Sequence, residues 1–259
     1  MSPIAIIVLA ALGFASIAAL LRRLKSKAIV NPYGDELKSS RTGFGSDVSS
    51  QRLTPFEETI IERAVVLQQS ASGQLVAVDL FSGYCAANAR RLAELGFTAY
   101  AVDFSPADAS ISAVIGQPHE SGGILHYAQQ DMREFDPATI GGTIDLVTCQ
   151  RGLHFLRYQE ARKLIAALAS QLSPGASMYF SIGAVDCAVG PGYKHADLPV
   201  QERWHPLEPE LGGPIHVTEP LCLYKEEDIQ SLFANLGGEL VSVARDDFGL
   251  FIVEYTNNK

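Results

Sequence analysis

Leu75-Val76-Ala77-Val78-Asp79-Leu80-Phe81-Ser82-Gly83-Tyr84-Cys85 carries a strand and a sharp turn in succession. The run up to Leu80 is apolar on both faces apart from Asp79, the pattern of a strand buried in the middle of a parallel sheet. A helix from Ala86 to Leu95 follows the turn and is closed by Gly96 at its C-terminal cap position. Downstream the alternation repeats as strand Thr98 to Val102, helix from about Pro106, and strands Leu125 to Gln129 and Ile144 to Cys149. Helix Tyr158 to Leu172 and strand Ser177 to Ile182 complete it. Upstream, Thr54 caps a helix whose first turn holds Pro55, Glu57 and Glu58, with Ile60, Ile61, Ala64, Val65 and Leu67 as its apolar face. Strands alternating with helices predict a doubly wound, mostly parallel α/β sheet over residues 54–259.

Composition agrees with one globular domain and modest extras: 259 residues, 47% hydrophobic and 19% charged. Twenty-two glycines and 13 prolines follow no collagen period and form no low-complexity tract, which excludes a fibrous or mainly disordered chain. The net charge is −9, and the first 27 residues hold four of the 20 basic side chains and no acidic one. The remainder therefore sets 16 basic residues against 29 acidic ones, a field that repels phosphate backbones and makes nucleic acid a disfavoured partner. Cys85, Cys149, Cys187 and Cys222 are far apart and form no CxxC pair, so they read as reduced thiols, with a Cys187–Cys222 pairing left open.

Ile4 to Leu21 is a run of 18 residues without a charge, and as a helix it would reach roughly 27 Å. Arg22, Arg23, Lys25 and Lys27 follow the run, where a cleaved secretory signal would place its positive charge first. The expectation is a single-pass membrane anchor over residues 1–27, weighed against a cleaved signal and a soluble helix. The positive-inside rule then puts everything after Lys27 in the cytoplasm. Residues 28–53 read as a linker or lid, with a turn at Asn31-Pro32-Tyr33-Gly34.

Asp79 and Asp103 stand at the ends of the first two strands, and in a doubly wound sheet ligands lie across those ends. A carboxylate ending the second strand commonly accepts from ribose hydroxyls, so a nucleoside-bearing cofactor is expected there. The dinucleotide fingerprint GxGxxG is absent from the turn after the first strand. Taken in order, Val78 to Cys85, Ala101-Val102-Asp103-Phe104-Ser105-Pro106, Gln130-Asp131-Met132 and Ile144-Asp145-Leu146-Val147-Thr148-Cys149-Gln150-Arg151-Gly152-Leu153-His154-Phe155 resemble the class I S-adenosylmethionine-dependent methyltransferases, in particular their small-molecule branch. The likeness spans about Leu75 to Ile182. Leu223 to Ile229 resembles the helix start before the family's last hairpin, with Glu239 to Ala244 and Leu250 to Tyr255 as its strands.

The resemblance implies a Rossmann-like seven-stranded sheet closed by a C-terminal antiparallel hairpin, with S-adenosylmethionine as cofactor. By the same resemblance Asp79 and Gly83 shape the pocket for the methionine part, Asp103 with its neighbour Phe104 holds the ribose side, Asp131 accepts from the adenine amino group and Met132 packs on the ring. Gln150 and Arg151 face the sulfonium and the acceptor. Phe81 and Cys85 stand where the family's turn usually carries its first and third glycines.

Methyl transfer is an in-line displacement from an activated sulfonium, so positioning supplies most of the catalysis and a base is needed only when the acceptor must lose a proton early. His154 is the candidate base, with local packing as its other reading. Residues 185–220 exceed the minimal sheet and are expected to cover the acceptor, with Tyr193, His195, Trp204 and His205 as contacts. Trp204, the only tryptophan, reads either as a stacking platform for the acceptor or as a core plug. The spacing of His195, His205, His216, Cys187 and Cys222 suggests no metal site. The chain is thus expected to methylate a small or membrane-partitioned acceptor. Two alternatives stay open: a methyltransferase-like binding protein without turnover, and a nicotinamide-dependent oxidoreductase.

Overall fold

The computed structural model describes residues 52–258. In chain order they form α1 (Pro55–Ser70), β1 (Val76–Leu80), α2 (Ala87–Glu94), β2 (Thr98–Asp103), α3 (Ala109–Ser112), β3 (Ile124–Gln129), β4 (Ile144–Gln150), α4 (Tyr158–Gln171) and β5 (Leu172–Ile182). Then come β6 (Trp204–His205), α5 (Pro209–Gly212), β7 (Leu221–Cys222), α6 (Glu226–Phe233), β8 (Glu239–Arg245) and β9 (Phe251–Thr256). One sheet runs β3-β2-β1-β4-β5-β9-β8. β1 to β5 pair in parallel, and β9 and β8 close the sheet antiparallel. The chain winds outward from β1 to β3 and then crosses to the other side of β1, so the winding reverses between β1 and β4.

Period-two alternation along the buried strands divides the core in two. Val78 and Leu80 face the side covered by α4 and α6, where Leu164, Ile165, Leu168, Ile229 and Leu232 are buried. Ala77, Ala99 and Ala101 face the side covered by α1 and α2, with Ile60, Ala64, Ala89 and Leu92. Small strand residues let those two helices pack close. Thr54 completes α1 with a reciprocal capping box to Glu57.

The expectation of a sheet preceded by a transmembrane helix over residues 1–27 is corrected: no helix among the described residues is long and apolar enough to cross a membrane. The run from Ile4 to Leu21 lies outside the described residues, as does nearly all of the expected linker or lid, including its turn at Asn31 to Gly34. The fold is the α/β sheet with its antiparallel closing hairpin. The helix expected from Pro106 shrinks to the single turn α3, because Ile111 is the only residue it buries. The four cysteines are free thiols, so Cys187 and Cys222 are not bonded.

The long segment after β5 leaves the sheet at Gly183 and returns beside its point of departure. Tyr224 N–H donates to Gly183 O over 2.9 Å and Val185 N–H to Tyr224 O over 3.0 Å. Between them lies the β6–β7 ribbon and a small core of Tyr193, Leu207, Leu221 and Leu223. The insertion thus has its own apolar centre, and Val200, Cys222 and Trp204 join it to the main core.

Candidate active site

The carboxyl ends of β1, β2 and β4 converge where the winding reverses, the place where doubly wound sheets hold ligands. The backbone there is unusual. Phe81 (φ 53°), Ala86 (φ 44°) and Arg151 (φ 56°) adopt the left-handed conformation that side chains other than glycine rarely take. Such residues cost about 1–3 kcal/mol each and gather at functional sites. Three of them frame one crevice.

Asp103 ties the turns together. Its Oδ2 accepts from Gly83 N–H at 3.0 Å and its Oδ1 from Ser105 N–H at 2.8 Å. Burial raises its pKa above the usual carboxylate value, and the two backbone bonds oppose the rise. Each oxygen keeps a further lone pair for a ligand hydroxyl. Tyr127 OH seals the same turns from β3 by donating to Ser105 O over 2.9 Å and Gly83 O over 3.3 Å.

Asp79 lies deeper, only 3% exposed. Its Oδ2 accepts from Ala89 N–H in the first turn of α2, and Asn88 Nδ2 approaches its Oδ1 at 3.5 Å while also reaching Thr148 Oγ1 at 3.3 Å. Burial outweighs these bonds and pushes its pKa up to about 8. Asp79 therefore holds α2 against β1 and shapes the pocket floor from below.

At the tip of β4, Gln150 Nε2 donates to Thr54 Oγ1 over 2.9 Å, which joins the site to the cap of α1. Arg91 of α2 pairs with the fully buried Glu57 of that cap at 2.8 Å. Arg151 N–H donates to Ser181 O, and its guanidinium lies over the Phe248 ring at 5.0 Å. His154 is buried, and its Nδ1 accepts from Gly183 N–H at 3.1 Å. Burial, then the Arg151 charge, pushes its pKa down to about 3. The ring is neutral, and with Nδ1 occupied the proton sits on Nε2.

On the β3 side, Asp131 forms a forked pair with Arg133 through both carboxylate oxygens. Phe104 is 37% exposed beside Asp103, whereas Met132 is 4% exposed within the main core. In the insertion, Tyr193 is buried and donates to the carbonyls of Arg203 and Leu221, so it holds the ribbon together. Trp204 packs against the main core and carries the Arg157 guanidinium over its ring at 4.1 Å. His195 and His205 stack with centroids 3.6 Å apart. Among the described residues no group of three or more His, Cys, Asp or Glu is placed to hold a metal ion.

The structure thus brings Asp79, Gly83, Asp103, Gln150, Arg151 and His154 to one end of the sheet and leaves Tyr193, His195, Trp204 and His205 together in the insertion. Sequence reasoning missed Thr54, Asn88, Tyr127 and Gly152 as members of the site. Only Thr54 had a signal, its spacing to Glu57, and that signal spoke of a helix cap.

A Rossmann-like sheet of this strand order, with carboxylates at its winding reversal, is the architecture that the sequence resemblance to class I S-adenosylmethionine-dependent methyltransferases implied. Residues 67–180 match the family model described as a methyltransferase domain, so the chain carries a domain of that kind. Among solved structures, it is similar to magnesium protoporphyrin IX methyltransferase from Synechocystis PCC 6803 with bound S-adenosylhomocysteine, at 19% identity over 92% of each chain with a TM-score of 0.54. A methyltransferase from Clostridium acetobutylicum matches at 14% identity over 82% of this chain and 95% of that one, TM-score 0.54. The 1,6-didemethyltoxoflavin-N1-methyltransferase of Burkholderia thailandensis, solved with its acceptor and S-adenosylhomocysteine, matches at 16% identity over 78% of this chain and 80% of that one, TM-score 0.50. At these identities the likeness is one of fold. No curated protein sequence matches the chain.

Proposed function

We propose that the chain transfers the methyl group of S-adenosylmethionine to a small-molecule acceptor lying between the tip of β4 and the insertion over residues 185–220. The observation that carries this reading is Asp103, clamped between the Gly83 and Ser105 turns at the winding reversal with lone pairs to spare for a ribose diol. The donor set fits the group. Carboxylates at the end of β2 and after β3 match a ligand rich in hydroxyl and amino donors, and the exposed Phe104 ring offers a flat apolar face beside the ribose position. Bound there, S-adenosylmethionine supplies an already activated methyl group. Asp103 orients the ribose, Gly83 lets the ligand approach the backbone, and the insertion keeps water from the crevice.

His154 acts in this scheme by holding the tip of β5 through Gly183, because its basic nitrogen is already occupied. An acceptor that must lose a proton then loses it to water or to a group of its own. The two neighbours whose names specify an acceptor, a magnesium protoporphyrin and a toxoflavin precursor, act on small ring systems, and the same coarse class of acceptor is proposed here.

Calorimetric titration of the full chain with S-adenosylmethionine, S-adenosylhomocysteine and NAD tests the reading. Micromolar binding of the first two, absence of NAD binding, and loss of at least tenfold in affinity in Asp103→Ala are expected, each lost charge-assisted bond being worth about 1.5–3 kcal/mol. Preference for NAD, or no binding of any of the three, would overturn it.

A further inference from the structure

We propose that the Phe81 ring forms the aromatic face against which the donor's sulfonium rests, and that this contact lets the site hold the charged donor more tightly than its uncharged demethylated product. The inference rests on the donor site proposed above and assigns a specificity role to a residue that the turn itself does not require.

The turn after β1 straddles the winding reversal. On one side Ser82 N–H donates to Val102 O over 3.3 Å and Gly83 N–H to Asp103, which fasten it to β2. On the other side the Phe81 ring lies on Gly152 just beyond β4. A Cβ placed on Gly152 would stand 2.2 Å from Phe81 Cγ and 2.4 Å from its Cδ2, so the ring fills the space that the missing side chain leaves. Phe81 is partly buried against the main core, at the carboxyl end of β1. An aromatic residue is held at φ 53°, where glycine sits without strain, and the cost of that conformation persists only where the surrounding structure imposes it.

The chemistry of the donor completes the argument. Its sulfonium is bonded to the 5′ carbon of the ribose, so a ribose held by Asp103 of β2 with its base toward β3 would direct the sulfonium over the tip of β1 toward β4. That path leads to Phe81. Asp79, at the tip of β1, is only 3% exposed and is turned toward Asn88 and Ala89 of α2. Arg151, next to Gly152, has its guanidinium over a different ring, that of Phe248. A sulfonium over the ring face is attracted by its quadrupole, and a thioether in the same place is not. After transfer the product has lost its charge and with it this contact, which favours its release.

The test is calorimetry on the full chain with S-adenosylmethionine, S-adenosylhomocysteine and sinefungin, whose ammonium supplies the charge without the sulfur. In Phe81→Leu and Phe81→Gly the affinity for S-adenosylmethionine and for sinefungin should fall about tenfold, while that for S-adenosylhomocysteine stays within about threefold. Phe81→Gly relieves the left-handed strain and should fold even where Phe81→Leu does not, which a thermal melt checks. Parallel losses for all three ligands, or none, would overturn the proposal and leave the donor site standing. Failure of the unaltered protein to bind any of the three would overturn both.

Discussion

Arg203 Nη1 meets Asp228 Oδ2 at 2.5 Å, with the two side chains only 4% and 11% exposed. The pair ties the insertion to the first turn of α6, where Asp228 also accepts from Lys225 N–H. Arg203 also donates from Nε to Leu198 O and from Nη1 to Leu223 O, so the guanidinium is a hub for three separate segments. Removing one partner of such a pair strands a buried charge, which typically costs 3–5 kcal/mol, whereas neutralising both costs much less. Arg203→Met should lower the unfolding free energy by about 3 kcal/mol, and Arg203→Met with Asp228→Asn should recover a good part of that loss. Urea midpoints measure both, and a single variant as stable as the parent would refute the hub.

Asp79 makes stability fall as pH rises. Its carboxyl has a pKa of about 8 in the folded chain against 3.8 in an exposed one, so between those values the native state binds more protons than the unfolded state. The destabilisation is absent below pH 4 and complete above pH 8. Asp79→Asn removes the titration and keeps an acceptor for Ala89 N–H. It should be more stable than the parent at pH 8, by on the order of 2 kcal/mol, and lose the advantage by pH 4.5. A constant difference between the two proteins across this range would show that Asp79 is ionised in the fold.

His154 works with the opposite sign. Its folded pKa is pushed down to about 3 from 6.5, so an unfolded chain takes up a proton that the native ring refuses. The stability it confers is full above pH 6.5 and is lost as pH falls toward 3. Between pH 7.5 and 4.5 the parent should lose about 2 kcal/mol more than His154→Gln, whose side chain does not titrate. The variant also reports on catalysis. If His154 only positions the tip of β5, the pH profile of methyl transfer keeps its shape in His154→Gln, and disappearance of a limb near neutrality would identify the ring as the base.

These groups mark where sequence was legible and where it was not. β1, β2 and β4 declare themselves because runs apolar on both faces fit only a covered parallel strand, and their register puts Asp79 and Asp103 at the ends that face a ligand. The tautomer of His154 depends on Gly183, which follows β5 and lies 29 residues later, and no local pattern encodes that meeting. Trp204 is held by Arg157 from the start of α4, a contact across the crossover to the insertion. Tyr193 looked like an acceptor contact because tyrosine suits both a site and a core, and only the carbonyls around its hydroxyl separate the two roles.

Gly152 and Phe81 are 71 positions apart and fit only as a pair. Alanine at 152 would drive its methyl to within 2.4 Å of the Phe81 ring, whose backbone is already held at φ 53° and has little room to swing away. Overpacking of this kind costs about 1–3 kcal/mol. Gly152→Ala should therefore destabilise the chain by about 2 kcal/mol, and the same change made on Phe81→Gly should cost far less, because the ring that it strikes is gone. The coupling between the two sites is the quantity to measure, from urea midpoints of the parent, the two single variants and the double. Additive losses would mean that the ring can move off Gly152, and the crevice wall assigned to Phe81 would then be mobile.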